Sequence, residues 1–223
     1  MEHQIKKIIS FSLWGNNPKY TIGAIKNADL AETVYPGWIC RFYIGQSVPS
    51  DIIETLKSKN NTEVILMNEQ GDWNSMFWRF YAAADDDVEI MLSRDCDSRL
   101  SNREKLCVDE FIKSDKKFHI MIDHPFHGGV MGGMWGAKNG VLSDIISLIN
   151  QYAKNNAWQV DQSFLNTIIR PKISDTELVH DSINLKNFPS IRENYHFVGE
   201  IFGPDDIRYE SYTILQQPIF KGL

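Results

Sequence analysis

The chain has few cysteines, no long apolar run and no surplus of positive charge, and each shortage removes a class of function. Its three cysteines, Cys40, Cys96 and Cys107, are odd in number and share no metal-type spacing. Neither a zinc knuckle nor a secreted disulfide framework is indicated, and a reducing compartment, the cytoplasm, is expected. The start, Met1-Glu2-His3-Gln4-Ile5-Lys6-Lys7, lacks the apolar stretch of a signal peptide, and no run near 18 apolar residues exists. No integral membrane segment is therefore expected. A formal net charge of -6 argues against sequence-independent capture of nucleic acid, which relies on many Lys and Arg neutralising phosphates. No internal repeat or low-complexity linker breaks the chain, so residues 1–223 are expected to form one domain.

What is present is ordinary globular composition, 43% hydrophobic and 23% charged over 223 residues, with room for a substantial core. Short apolar runs alternate with helical spacings. Strands are expected at Ile8–Trp14, Trp38–Ile44, Thr62–Met67, Asp87–Leu92 and Phe118–Ile122. Helices are expected from about Tyr20 to Thr33, from Ser50 as N-cap through Leu56, and from Ser75 to Ala84. Further helices are expected from a Ser101-Asn102-Arg103-Glu104 capping box to Lys113, from Val141 to Ala153, and from Asp161 to Ile169. This alternation predicts an α/β fold with a mostly parallel central sheet flanked by helices. Ligands of such folds gather beyond the C-terminal ends of the strands.

One acidic signature sits at such an end. Ser93-Arg94-Asp95-Cys96-Asp97-Ser98-Arg99 follows the fourth strand, and a persisting strand geometry would send Asp95 and Asp97 off one face of the sheet. Two hard carboxylates suit Mn²⁺ or Mg²⁺, with diphosphate oxygens and water as the remaining ligands. Such an ion neutralises charge on a departing diphosphate. The competing reading is a solvated acidic turn. Cys96 would point away from its neighbours into the core. Arg94 and Arg99 are each open to an aspartate or a phosphate partner, and Arg79, on a mainly apolar helix, either pairs near Asp95 or lies on the surface.

A second informative stretch runs from Gly128 to Lys138. Gly128, Gly129, Gly132 and Gly133 permit left-handed backbone or close approach, Trp135 offers a flat face to a sugar or anchors the core, and Lys138 is a candidate phosphate contact or a solvated lysine. His124 and His127 flank Pro125, which spoils the helical alignment of a metal-binding pair. Asp161 either caps its helix or accepts a proton from an incoming hydroxyl; Asp123 is the second candidate base. His180 is either structural or the third, nitrogen ligand of an Mn²⁺ site.

With these residues in view, the chain resembles nucleotide-sugar glycosyltransferases of the GT-A type. The resemblance rests on Arg94 to Arg99, on Gly128 to Lys138, on Asp161-Gln162 and on His180-Asp181, within a span from Ile8 to the region of His180. It implies that Asp97 binds the metal and that Asp95 contacts ribose or the metal. It further implies that the opening strand and loop, Phe11, Ser12 and Trp14, meet the nucleobase, and that His180 completes the metal site. The implied partners are a nucleoside diphosphate sugar donor and a glycan or other hydroxyl acceptor. The chain is short for the family, which leaves a trimmed enzyme or one domain of a larger protein, and it is more similar to compact bacterial or large-virus enzymes than to membrane-anchored ones. Two rivals stand beside this reading: a nucleotidyltransferase acting on sugar phosphates, whose glycine- and lysine-rich phosphate loop is not evident at Leu13–Pro18, and a non-catalytic sugar-binding domain.

Overall fold

In the computed structural model, which describes residues 5–152 and 155–220, seven strands join one sheet. They are β1 (Lys6–Leu13), β2 (Ile39–Ile44), β3 (Thr62–Leu66), β4 (Val88–Ser93), β5 (Phe118–Ile122), β6 (Trp135–Lys138) and β7 (Glu177–Asp181). Their order across the sheet is β3-β2-β1-β4-β6-β5-β7, and all pairs are parallel except the two made by β6. The α/β class and the mostly parallel sheet expected from the alternating pattern are what the chain forms. The short β6 was hidden among glycines and lies where no strand was expected.

The central strand β1 shows why the sheet is covered on both sides. Its residues from Ile8 to Leu13 are all buried, as a parallel strand between two layers of helix requires. Successive side chains alternate between two cores. Ile8 joins Phe80, Met91, Phe118, Trp135 and Phe164 on one face, whereas Ile9, Phe11 and Leu13 join Ala24, Ala28, Phe42 and Phe111 on the other. Each such aromatic or aliphatic side chain contributes about 1.5–3 kcal/mol on burial.

The second face is covered by α1 (Pro18–Val34), α2 (Ser50–Lys57) and α3 (Asn102–Lys113). Asn17 caps α1, its side chain accepting from the Lys19 N–H at 3.0 Å, and Pro18 fills the first turn, where its missing N–H costs nothing. Ser50 is not the cap of α2 but its first residue, after Pro49. At α3 the Ser101 hydroxyl accepts from the Glu104 N–H at 3.4 Å, but Glu104 does not reach back. Its carboxylate is buried against the Tyr35 hydroxyl (2.8 Å) and the Arg94 guanidinium (3.1 Å), so half of the expected box forms.

The first face is covered by a 3-10 helix, Trp73–Ala84, by α4 (Ile145–Gln151) and by α5 (Val160–Phe164), which continues through a π turn, Leu165–Ile169, into α6 (Arg170–Ile173). The 3-10 helix starts two residues before the expected Ser75 because Asp72 and Ser75 cap each other reciprocally. The expected end of the α4 segment at Ala153 lies outside the described residues, as do residues 1–4 of the leader reading. After β7 the chain from Ser182 to Phe220 holds short helical turns and one bridge and returns over the C-terminal edge of the sheet. Among the described residues no helix is long and apolar enough to cross a membrane.

Candidate active site

Strands β1 and β4 are parallel neighbours, with Ser10 opposite Ser93, so the loops that leave them open at one edge. There a cleft of about 700 Å³ is lined by Ser12, Trp14, Tyr20, Arg79, Asp95, Asp97 and Asp161, among others. β4 ends at Ser93, and the acidic signature is a turn rather than a strand extension. The Ser98 N–H and hydroxyl both donate to the Asp95 carbonyl, at 3.3 and 2.9 Å. The turn, not strand alternation, brings the two carboxylates to one cleft. Cys96 between them is buried, its Sγ 3.4 Å from the Ser12 carbonyl, and burial pushes its thiol pKa up, which suits packing.

Each acidic group has a resident cation. Arg79 lies on the 3-10 helix, its backbone N–H held by the Ser12 hydroxyl at 2.9 Å. Its guanidinium bridges Asp95 Oδ1 and Asp161 Oδ2, the latter at 2.7 Å. Burial alone would lower the Arg79 pKa, but the two aspartates outweigh it and hold the group charged. Asp161 stands in the first turn of α5, after Gln159 in a left-handed conformation (φ +64°). It is buried, burial raises its carboxyl pKa, and its Oδ1 has no hydrogen-bond partner. Asp97 pairs with Lys19 of α1 at 2.9 Å; burial and then the charge of Asp95 raise its pKa.

The glycine-rich segment fits closely around this ion network. A Cβ on Gly132 would stand 2.3 Å from Asp161 Oδ2 and 2.5 Å from Arg79 Nη2, and one on Gly133 would stand 2.0 Å from Asp95 Oδ2. The Gly132 carbonyl also accepts from the Ser93 hydroxyl at 2.6 Å. The close approach that these glycines allow is to the protein's own charged side chains. Trp135 is fully buried, stacked on Phe118 with centroids 5.1 Å apart, and is a core anchor, not a sugar platform.

Phe11, Lys138, Asp123 and His180, all singled out in the sequence, are not at the cleft. Phe11 faces the α1 core, stacked on Phe42 at 4.8 Å, because the cleft wall begins one residue later. Lys138 ends β6, and β6 runs against β4, so its C-terminal end lies at the edge away from Asp95. There its ammonium donates to the Ser114 and Ile112 carbonyls at the end of α3, at 2.6 and 3.2 Å. Asp123 is fully buried and saturated by Arg103 Nε and Nη2 (2.7 and 2.8 Å), Ser182 Oγ (2.8 Å), Arg192 Nη2 (2.8 Å) and the Val198 N–H (2.9 Å), which leaves no lone pair for a substrate proton. His180 is on the edge strand β7, separated from β4 by β6 and β5. Its ring is bonded to His119 Nε2 at 2.8 Å and Glu110 Oε2 at 2.9 Å, so it is not in the metal site that the resemblance implied. Arg94 and Arg99 are likewise committed, to Glu104 and to Asp206.

Other cleft residues carried no signal that sequence reasoning used. Trp158 (69% exposed) and Phe126 (72%) stand in the cleft wall with Trp73, Phe197 and Ile201. Lys19 was reachable from the Asn17-Pro18 start of α1, which fixes it in the first turn beside the β1 loop. That this loop adjoins the β4 loop depends on strand order.

The donor set fits a divalent cation only in part. Asp95 and Asp97 offer hard oxygens, Asp95 Oδ2 lying close against Gly133, where a Cβ would stand 2.0 Å away. Among the described residues no group of three His, Cys, Asp or Glu side chains could hold an ion unaided. Two carboxylates plus substrate phosphates and water match the way Mg²⁺ is commonly bound, so the site fits an ion that arrives with a diphosphate.

No protein-family model matches the sequence, and no curated protein matches it. Similarity appears in solved structures. Over 79% of this chain, TarS 1–349 of S. aureus in complex with UDP superposes with a TM-score of 0.53 at 14% identity, over 58% of its own length. Mannosyl-3-phosphoglycerate synthase from Rubrobacter xylanophilus gives 0.51 at 12% identity over 79% of this chain and 65% of its own. 4-Diphosphocytidyl-2C-methyl-D-erythritol synthase from Anaerococcus prevotii gives 0.52 at 12% identity over 79% of this chain and 87% of its own. The chain thus spans less than two thirds of the first two, and the likeness is one of fold: a GT-A-like α/β sheet.

Proposed function

We propose that this protein is a metal-assisted glycosyltransferase that moves a sugar from a nucleoside diphosphate sugar to a hydroxyl of a glycan or similar acceptor. The observation that carries this reading is the convergence of Asp95 and Asp97 on one aromatic-walled cleft at the C-terminal ends of β1 and β4. Asp95 and Asp97 would hold Mn²⁺ or Mg²⁺ together with the donor's phosphates. The ion, when bound, supplies Lewis-acid neutralisation of the departing diphosphate. Arg79 holds the Asp95 carboxylate beside Asp161 before any substrate arrives. Trp14 and Tyr20 would supply flat walls for a nucleobase, and the likeness in fold to a protein solved with UDP supports a nucleotide as ligand. Asp161, with its unbonded Oδ1, is the proton acceptor if the anomeric configuration inverts; in a retaining reaction it serves only to hold Arg79.

The fold is equally like those of 4-diphosphocytidyl-2C-methyl-D-erythritol synthase and a putative glucose-1-phosphate thymidylyltransferase, so the test separates sugar transfer from nucleotidyl transfer. The protein is incubated with UDP, GDP and TDP sugars, and separately with nucleoside triphosphates plus sugar 1-phosphates, each with and without Mn²⁺. Release of nucleoside diphosphate stimulated by Mn²⁺ is expected, and Asp97→Asn should reduce it by about a hundredfold or more while the circular dichroism spectrum stays unchanged. Pyrophosphate release from the triphosphate arm alone would replace this reading with nucleotidyl transfer. Metal-independent release unaffected by D97N would remove the metal role.

A further inference from the structure

The cation position beside Asp97 is already filled by the chain itself. Lys19 Nζ lies 2.9 Å from Asp97 Oδ2, and both side chains are largely shielded, 19% and 13% exposed. The ammonium also sits 4.4 Å from the centre of the Tyr20 ring and 5.8 Å from that of Tyr209. A carboxylate on one side and two aromatic faces on the others form a small cage for a positive charge. The cage is assembled from distant parts of the chain. Tyr20 belongs to α1, Asp97 to the turn after β4, and Tyr209 to the terminal segment, which is fastened to that turn by the Phe202 N–H donating to the Asp97 carbonyl at 2.8 Å. The same segment is fastened to α1 by the Lys26–Asp206 ion pair.

We propose that Lys19 is a resident counter-ion of Asp97, which keeps a divalent cation out of the empty cleft and then binds the donor's diphosphate when metal and nucleotide enter together. This rests on the metal-assisted reading above and makes Lys19 the positioning residue that couples the two ligands. The physics is exchange of charge. A divalent ion approaching Asp95 and Asp97 alone meets the Lys19 ammonium at contact distance from the oxygen it needs, in a partly buried site where water screens little. A diphosphate carried with the ion gives that ammonium a new anionic partner within reach of its flexible stem. The ion then gains Asp97 while Lys19 loses nothing.

The two halves of the proposal predict shifts of opposite sign. Mn²⁺ binding is measured by electron paramagnetic resonance of the free ion, and nucleotide binding by calorimetry with UDP, GDP and TDP, on the full chain and on Lys19→Met and Lys19→Arg. K19M should bind Mn²⁺ alone about tenfold more tightly than the unaltered chain, and in the presence of Mn²⁺ it should bind its nucleoside diphosphate about tenfold more weakly. The factor by which each ligand strengthens the other must fall accordingly. K19R should restore both values toward those of the unaltered chain. Lys19 lies in the first turn of a helix with its charge on Asp97, and a thermal melt of each variant checks that the fold is kept. Mn²⁺ affinity unchanged or weakened in K19M overturns the counter-ion role, and unchanged nucleotide affinity overturns the phosphate role. If the unaltered chain binds no Mn²⁺ with any of the three nucleotides, the metal-assisted reading itself fails, and the failure is not one of Lys19.

Discussion

Gly132 and Gly133 show how little space separates the backbone of the segment before β6 from the charged groups of the cleft. An added methyl at Gly133 would overlap Asp95 Oδ2 at 2.0 Å, and one at Gly132 would press on both Asp161 and Arg79. In the Arg79–Asp95–Asp161 bridge, Arg79 and Asp161 are buried, and Asp95, which Gly133 touches, is held to it by Arg79, so it retreats only by breaking that pair. Gly133→Ala is therefore expected to lower stability by about 1–3 kcal/mol, as overpacking does, and to abolish donor turnover. Thermal melts and the nucleotide-release assay read the two effects separately. Arg79→Met is expected to be worse for stability than either glycine change. It leaves Asp161 buried without its cation, at a cost of about 3–5 kcal/mol, and urea titration measures it. The acidic pair was marked by its position after an apolar run, and Asp161 by its place at the opening of an amphipathic helical segment. The bridge from Asp95 to Asp161 through Arg79 was open in the sequence, because helical spacing shows that an arginine lies on an apolar helix but not which carboxylate it meets.

Strand direction decides which candidates reach the site. β6 runs opposite to β4, which sends Lys138 to the far edge and leaves the glycines before Trp135 at the near one. β7 is an edge strand beyond β5, which takes His180 away to a contact with the buried His119 and the exposed Glu110. A mostly parallel sheet is readable from alternating strands and helices, whereas the order of the strands is set by which faces bury together. The segment after β7 is tied down by Asp123, whose carboxylate collects Arg103, Arg192, Ser182 and the Val198 N–H. Asp123→Asn keeps the shape and removes the charge that pairs two buried guanidinium groups. The expected outcome is a loss of about 3–5 kcal/mol in urea unfolding, with faster limited proteolysis between residues 182 and 200 if the segment releases first.

The molecule as a whole carries a signature in its response to acid. His119, His124 and His127 all titrate below the usual histidine value of 6.5 because burial penalises their charged forms, His127 being lowered to about 4. Below pH 6.5 the unfolded chain binds more protons at these positions than the folded one. Their contribution to stability is thus complete above pH 6.5 and is lost as pH falls toward the folded values. Asp97 and Asp161, raised above 3.8, act with opposite sign, so the histidine effect is read between pH 6.5 and 5 as the difference between the unaltered chain and a histidine variant. The urea midpoint is expected to fall across that interval, and His127→Gln should flatten part of the fall; an equal pH dependence in the two chains would contradict the burial of this ring.

Residue order alone determined that this chain folds as alternating strands and helices, with an acidic turn after an apolar strand and glycines ahead of Trp135. Periodicity and turn chemistry are local, acting within a few residues, and they survive without knowledge of neighbours. Tertiary structure decided that Lys19 and Arg79 neutralise the acidic groups, that Asp123 and His180 hold the frame instead of serving the cleft, and that Trp135 lies in the core. Those outcomes depend on strand order and direction, which arise when two faces of one sheet bury their apolar side chains at once and no short stretch of sequence contains them.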